Sequence, residues 1–494
     1  MAMDKFALFE VGTTAVRLTL AKGIAGEYFN IYKVLEENVH INQHIEADGL
    51  IKSAKVHECI TILKMYKKIA DAAGVTNRWA VAANSLVAAK NYKSFIDELG
   101  VAIAMEFRLL TPEQETNAIY TAVINTLDVA KGVIVNISAF STRIIHYSRR
   151  MILDSATFEI GAENFKDAAV FKKELETKAA FLKGLDPETQ IVGVSDTFTS
   201  FARIARKMHK YPLEIDHDYA FDAETFHHVF KFIKELDVDK RQKLKGISNY
   251  SAQTLVGGME IVEVILKHSG LKNLVTATAY RNVGILFNAV VPATCEKPLA
   301  DLLGYSFDVI LTTTGHDRVR AQRHYDLALL LFRQIRVLHK LPRSYIKVLR
   351  VAANLYRLGT FGSNYTAILA APILGASHKE IVLAAFSASF KKWEDFNLTE
   401  WLKYKDLTTD EDLEAVRKLA MMLAMAEAFD IRGQEIIKDL SCDVLGDSVI
   451  LKLITETDAR AQKIDVSAAD VEIFHAKKYA HEFNRTFKKS LELL

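Results

Sequence analysis

The chain has 494 residues, half of them apolar and a quarter charged, and its 63 Lys and Arg face 61 Asp and Glu for a formal net charge of +2. This is a globular profile, long enough for roughly three domains, and it excludes a long-range field that would draw the protein to nucleic acid or a membrane surface; a bound polyanion would need a local basic patch. Three widely spaced cysteines, Cys59, Cys295 and Cys442, argue against a disulfide framework and against a zinc site, and fit the reducing cytoplasm.

The opening apolar run is too short for a signal peptide, and no run approaches the ~18 residues that suggest a membrane span. "KFALFEV" (5–11) reads as a buried strand. "AVRLTLA" (15–21) follows at once as a second, with a third in "YFNIYKVLEENVHI" (28–41). The stretch 53–74 has Val56, Ile60 and Leu63 at helical spacing, with Ser53 expected as its cap and Gly74 as its stop. A strand "RWAVAA", a helix running to Leu99 and a strand "MEFRLL" come next, and a helix opens at "TPEQE" (111–115).

From Gly132 the order recurs. Strands "GVIVNI", "TRIIHYS" and "MILDSATFEIG" precede an expected helix over 162–182. Strand "QIVGVSD", helix "TFTSFARIARKM", further helices, strand "NLVTATA" and helix "RNVGILFNAV" complete the second half. Three strands come first in both copies, which is a repeat of architecture rather than of residues. The expected fold is α/β: two actin-like, ribonuclease-H-like lobes, 1–128 and 129–300, facing each other across a cleft, into which the turn between the first two strands of each lobe points. From about Asp301 amphipathic helices take over. They predict a helical domain over 301–405 and a C-terminal helical and α+β region over 406–494. There Met421, Met422 and Met425 read as core filling, "SVILKLIT" as a strand and the residues up to Leu494 as a helix.

Several short stretches together resemble one family. "FEVGTTAVRLTLA" stands where the exopolyphosphatase and guanosine pentaphosphate phosphohydrolase family has D-I-G-S-N-S-x-R-L. "AVAANSLVAAKN" stands for its A-T-x-A-L-R-E-A-x-N, "LLTPEQETNAIYTAV" for I-S-G-E-E-E-A-R-L-I-Y-x-G-V, and "VIVNISAFST" for V-x-D-I-G-G-G-S-T. Further on, "EIGAENF" resembles L-G-A-V-R, "GVSDTFTSFARI" resembles G-x-G-G-T-x-x-x-L-A, and "AANLYRLG" resembles the A-A-x-L-H-D-I-G of a helical HD-like domain. The stretches are collinear and each falls on its expected element. The resemblance implies Mg²⁺-assisted hydrolysis of terminal phosphoanhydrides, with polyphosphate or guanosine pentaphosphate as ligand and a homodimer as assembly.

Carried over position by position, Glu115 falls on the catalytic Glu and Glu10 on the first-strand Asp. Gly12, Thr13, Thr14 and Arg17 fall on the first phosphate turn, Asn136, Ser138 and Ser141 on the second, and Thr197 on the third. The departures are many. Asn136 replaces an acid, so it can be no base and is a poorer Mg²⁺ ligand. Ser138, Ala139 and Phe140 replace a glycine triplet, Ala83 a Thr, Val87 and Asn117 arginines, and Ser195 and Asp196 two glycines. Tyr356 and Arg357 replace the His-Asp metal pair. A residue forced into the left-handed conformation costs roughly 1–2 kcal/mol, so a changed turn shape is expected. Losing a positioned acid or base costs about 10² to 10⁴ in rate, and losing an oxyanion donor about 10² to 10³.

Plain structural readings stand beside these. Thr111 to Gln114 is a capping-box pattern, with Glu115 a first-turn acid favoured by the helix dipole. Glu10 ends a buried strand and needs a partner, for which Arg17 is the candidate. Gly12 to Thr14 also suits an ordinary hairpin turn. His146 reads as sheet surface. Two functions follow from the whole: a family member that has lost catalysis and acts by binding, or a hydrolase with a rearranged site built on Glu10, Glu115 and the threonine turn.

Overall fold

Strand β1 (Asp4–Val11) is apolar without a break from Phe6 to Phe9, because both of its faces are buried. It runs antiparallel to β2 (Ala15–Ile24) and parallel to β4 (Asn77–Ala82). With β3 (Tyr28–Asn38) and β5 (Phe107–Leu109) they form a sheet of order β3-β2-β1-β4-β5. Helices α1 (Ser53–Ala72) and α2 (Tyr92–Ile103) cover it; α3 (Pro112–Ile124) follows. The computed structural model describes residues 3–45, 48–295, 297–359, 364–455 and 469–494.

The second sheet repeats the plan. It contains β6 (Lys131–Ile137), β7 (Thr142–Ser148), β8 (Met151–Phe158), β9 (Gln190–Val194), β10 (Ala220–Asp222) and β11 (Asn273–Thr276), in the order β10-β11-β9-β6-β7-β8. Again three antiparallel strands come first and the parallel strands β9 and β11 extend the other edge, which the antiparallel β10 closes. Its helices are α4 (Ala168–Lys178), α5 (Asp196–Met208), α6 (Ala223–Glu235), α7 (Val238–Gln242), α8 (Asn249–Ser269) and α9 (Arg281–Val290). This is the duplicated actin-like fold, and Met1–Leu302 forms one compact unit.

Helix α3 belongs to the first half in sequence but packs on the second sheet. Ile119 and Val123 lie in one core cluster with Ile134, Ile145, Val192 and Val275. The far end of α3 is held by Arg150, whose guanidinium donates to Ile124 O at 2.6 Å and to Leu299 O at 2.5 Å. Helices α3 and α9 cross closely at Gly284, where a Cβ would sit 1.7 Å from Ala118 O.

Two local expectations fail for capping reasons. Ser53 is the first residue of α1 rather than its cap, which is Lys52 and makes no side-chain bond. The helix expected over 162–182 begins only at Ala168, where the Asp167 carboxylate accepts the Ala169 N–H. The preceding residues make a turn in which Asn164 binds Gly161 N–H and Glu159 O.

The second compact unit, Leu303–Leu494, is mostly helical. It contains most of α10 (Leu302–Thr314), then α11 (Arg318–Gln334), α12 (Arg336–His339), α13 (Tyr345–Asn354), α14 (Asn364–Ala370), α15 (His378–Ser387), α16 (Leu398–Trp401) and α17 (Asp410–Phe429). The long helix α17 packs on α11, α13 and α15 and on the C-terminal helices, so packing runs without a break across residue 405. Met421, Met422 and Met425 are buried in it. Strands β12 (Ile437–Leu445), β13 (Ser448–Thr455) and β14 (Ser490–Leu493) form a small sheet. The helix expected to reach Leu494 ends at Lys488, whose φ is 57°, and β14 then pairs parallel with β13. Among the described residues no helix is long and apolar enough to cross a membrane.

Candidate functional site

Residues of both lobes meet in one charged group. Glu115 reaches it from the first turn of α3, which starts as the sequence suggests. Thr111 Oγ1 accepts the Gln114 N–H at 3.2 Å, and Gln114 Oε1 accepts the Thr111 N–H at 3.0 Å. Glu115 lies one position beyond this box and is buried.

Both of its carboxylate oxygens are occupied. Oε1 takes Arg281 Nη1 at 2.7 Å and the Asn84 N–H at 3.2 Å, while Oε2 takes Arg143 Nη2 at 3.2 Å. Glu10, only 2% exposed at the end of β1, meets the same arginine: Arg281 Nη2 lies 3.4 Å from its Oε1. Arg17, the partner expected for Glu10, stands opposite it in register but 3.9 Å from its Oε2. Arg17 spends its fork on Glu36, its cross-strand neighbour on β3. Burial works against the Arg17 charge, yet the Glu10 and Glu36 carboxylates win and raise its pKa. Arg281 is thus the common partner of the two candidate carboxylates.

The second turn, Ser138–Ser141, is closed on itself. None of its residues has a positive φ, so the glycine replacements change the turn's shape instead of straining it. Asn136 donates Nδ2 to Val194 O at 2.8 Å. Ser138 N–H and Oγ both donate to Ser141 O, and the two serine hydroxyls meet at 2.8 Å. Its carbonyls are used as well: Ser138 O accepts Ala162 N–H, and Ala139 O accepts Glu163 N–H. Gly161 lies against this turn so closely that a Cβ would come within 2.4 Å of Ser138 O and 2.5 Å of Ser141 N.

The first turn is an ordinary hairpin. Gly12 N–H binds Ala15 O at 2.9 Å, and Thr14 O accepts two N–H groups, from Val39 and His40. Gly12 does not have a positive φ, and a Cβ there would meet Ala15 O at 3.6 Å, a normal contact. Thr13 Oγ1 lies 3.3 Å from Ser85 Oγ. In the third motif Thr197 is buried and its hydroxyl faces α8. A Cβ at Gly258 would come within 2.2 Å of that oxygen. The structure therefore brings Glu10, Glu115 and Arg17 into one charged group and leaves Thr197 out of it. Asp196, at the start of α5, completes the far side. Burial and the Glu36 charge push its pKa up, opposed by Arg17 and by the Tyr280 hydroxyl 3.5 Å away. Burial raises Tyr280 as well, with Asp196 adding to it.

Arg143 and Arg281 were missed from sequence. The available signal was the need of buried acids for cations. Arg143 sits opposite Asn136 in the β6–β7 register, and Arg281 opens α9 directly after the last central strand. No group of three His, Cys, Asp or Glu able to hold a metal ion exists among the described residues. The acids of the cleft already face guanidinium groups, so the donor set does not suit Mg²⁺. In the helical unit Arg357 pairs with Glu427 at 3.1 Å and Tyr356 is buried, so neither residue at the expected metal-pair positions is a metal donor.

The model of the Ppx/GppA phosphatase family matches residues 21–281. Among solved structures, the Ppx/GppA family member of Aquifex aeolicus is similar at 22% identity over 59% of this chain and 99% of its own, with a TM-score of 0.52. An exopolyphosphatase from Cytophaga hutchinsonii is similar at 17% identity over 58% of this chain and 98% of its own, also with a TM-score of 0.52. These likenesses establish the fold. No curated protein matches. The family match covers more than half of the chain and includes α3 and β6, which carry Glu115 and Asn136, and the chain belongs to the Ppx/GppA phosphatase family.

Proposed function

We propose that this chain is a family member in which phosphoanhydride hydrolysis is lost, and that its two-lobed unit serves by binding. One observation carries the reading: Glu115, the candidate base, has both oxygens engaged by Arg143, Arg281 and the Asn84 N–H. Water-activating catalysis needs a carboxylate oxygen directed at the water, and both oxygens of Glu115 are turned to guanidinium or amide donors instead. The second turn supports the same reading. A phosphate cradle needs backbone N–H groups aimed outward, whereas Ser138 N–H is spent on Ser141 O and Asn136 is spent on Val194 O.

The test is phosphate release from long-chain polyphosphate and from guanosine pentaphosphate with Mg²⁺, for the wild-type chain and for Glu115→Gln. The expected result is no release above background for either protein. A wild-type turnover in the usual range of ~1 to 10³ per second that collapses in Glu115→Gln would establish the alternative, a hydrolase in which Arg281 moves off the acid when substrate enters.

A further inference from the structure

The near balance of charge over the whole chain hides one local excess. From Leu327 to Lys379 the sequence contains no Asp or Glu, while Lys and Arg recur throughout. This stretch includes the end of α11, the short helix α12 and the turn into α13, and so makes the connection between two helices that pack on each other.

The connection is held from within. Buried His339 has a neutral ring: its Nε2 donates to Phe332 O at 2.7 Å, and its Nδ1 accepts the Leu341 N–H at 2.8 Å. Lys418 of α17 donates to His339 O at 3.1 Å. Lys340, with a φ of 56°, then ends α12. Imidazole and aliphatic groups turn inward, and Arg333, Arg336, Lys340 and Arg343 stay exposed. Among the described residues none of these four side chains has an ion-pair or hydrogen-bond partner. Arg333, Arg336 and Lys340 line one open depression, and no acid lines it. The neighbouring carboxylates are committed. Glu380 takes Lys347 at 3.2 Å, and buried Asp412 takes Lys379 and the Tyr345 hydroxyl, each at 2.8 Å. Glu411, beside Tyr345, bounds the basic surface on the side of α17. Among the cations an apolar group points outward: Val337 is 69% exposed, and Pro342 is exposed with it.

We propose that this connection docks on an anionic membrane surface, its four free cations among the lipid headgroups and Val337 entering the headgroup boundary. A cluster of about four to eight Lys and Arg beside exposed apolar side chains holds a protein on such a surface without spanning it. A single-stranded nucleic acid would stack its bases on exposed aromatic rings. The connection offers none, since Phe332 is buried and residues 333–344 include no Phe, Tyr or Trp. A nucleic-acid duplex or another polyphosphate would leave Val337 in water. The surface belongs to the helical unit and does not rest on the reading given for the cleft.

Co-sedimentation of the full chain with lipid vesicles tests this. Vesicles of phosphatidylcholine with about one-third phosphatidylserine should carry the chain down, and vesicles of phosphatidylcholine alone should not. Salt at ~0.5 M, which shortens the screening length to about 4 Å, should release it. Arg336→Gln combined with Lys340→Gln should weaken binding about fivefold for each cation removed. The melting temperature should not change, because neither side chain is bonded within the protein. An equal loss of charge on α1, Lys64→Gln with Lys68→Gln, both exposed, should leave binding as it was. Val337→Ser, which alters no charge, should weaken it about threefold. The proposal fails if serine-lipid vesicles leave the chain in solution, if choline-lipid vesicles sediment it equally, or if the Arg336 and Lys340 double variant keeps full binding. An RNA duplex or long-chain polyphosphate bound more tightly than vesicles at equal anion concentration, through Arg336 and Lys340 but regardless of Val337→Ser, would overturn it in favour of that polyanion.

Discussion

At Asn136 an amide stands where the resembled family has an acid, and the difference is one of hydrogen-bond direction. Its Nδ2 donates to Val194 O at 2.8 Å, a bond no carboxylate can make. Restoring the acid should therefore harm the protein: Asn136→Asp sets a carboxylate oxygen against a carbonyl and is expected to cost about 1–3 kcal/mol. A lowered urea midpoint with an unchanged slope would register it, with no gain in phosphate release; a stabilised or newly active variant would contradict the role given to this bond. The positions of Glu10 and Glu115 were legible in the sequence because each follows a strand or cap signal nearby. Their real partner was not. Arg281 lies 166 residues from Glu115 and 271 from Glu10, and nothing in local spacing reports a contact across such distances. Arg17, the partner expected for Glu10, does face it across a tight hairpin, but Glu36, on the next strand, wins its fork.

Among elements, the α3–α9 crossing decides whether the charged group forms at all, because one helix carries Glu115 and the other Arg281. The crossing is as close as glycine permits. A methyl group at 284 would overlap Ala118 O, 1.7 Å away, so the helices must part. Gly284→Ala is expected to destabilise by about 1–3 kcal/mol through overpacking, seen in chemical denaturation. Elements with a local signature were legible: the Thr111 box, the Gly74 stop, and the strand triplets that open each lobe. The start of α4 and the strand at Ser490–Leu493 were not. A competing carboxylate cap decided the first, and pairing with a strand distant in sequence decided the second. Neither effect is visible in hydrophobic periodicity.

For the molecule as a whole, acid should act through buried imidazoles. Burial lowers the pKa of His217, His324 and His339 below the usual 6.5, against the pull of backbone carbonyls. The native state thus keeps these rings neutral where the unfolded chain has begun to protonate them. The unfolded state then binds more protons, and stability falls as pH drops below about 6.5. Each such histidine steepens the fall by up to about 1.4 kcal/mol per pH unit until its native pKa is reached. Urea titrations at pH 7.5, 6.5 and 5.5 should show little change over the first step and a clear loss over the second. His324→Asn should flatten that loss, and an equal loss in this variant would remove His324 from the account.

Gly161 bears on what protein engineering could recover here. The segment it opens is seated on the Ser138–Ser141 turn, and the amides of Ala162 and Glu163 are fastened to that turn's carbonyls. Grafting three glycines back into the loop would free its torsions but leave it fastened from below. A working cradle would have to be rebuilt from both strands of this seam at once, so no single reversion restores it.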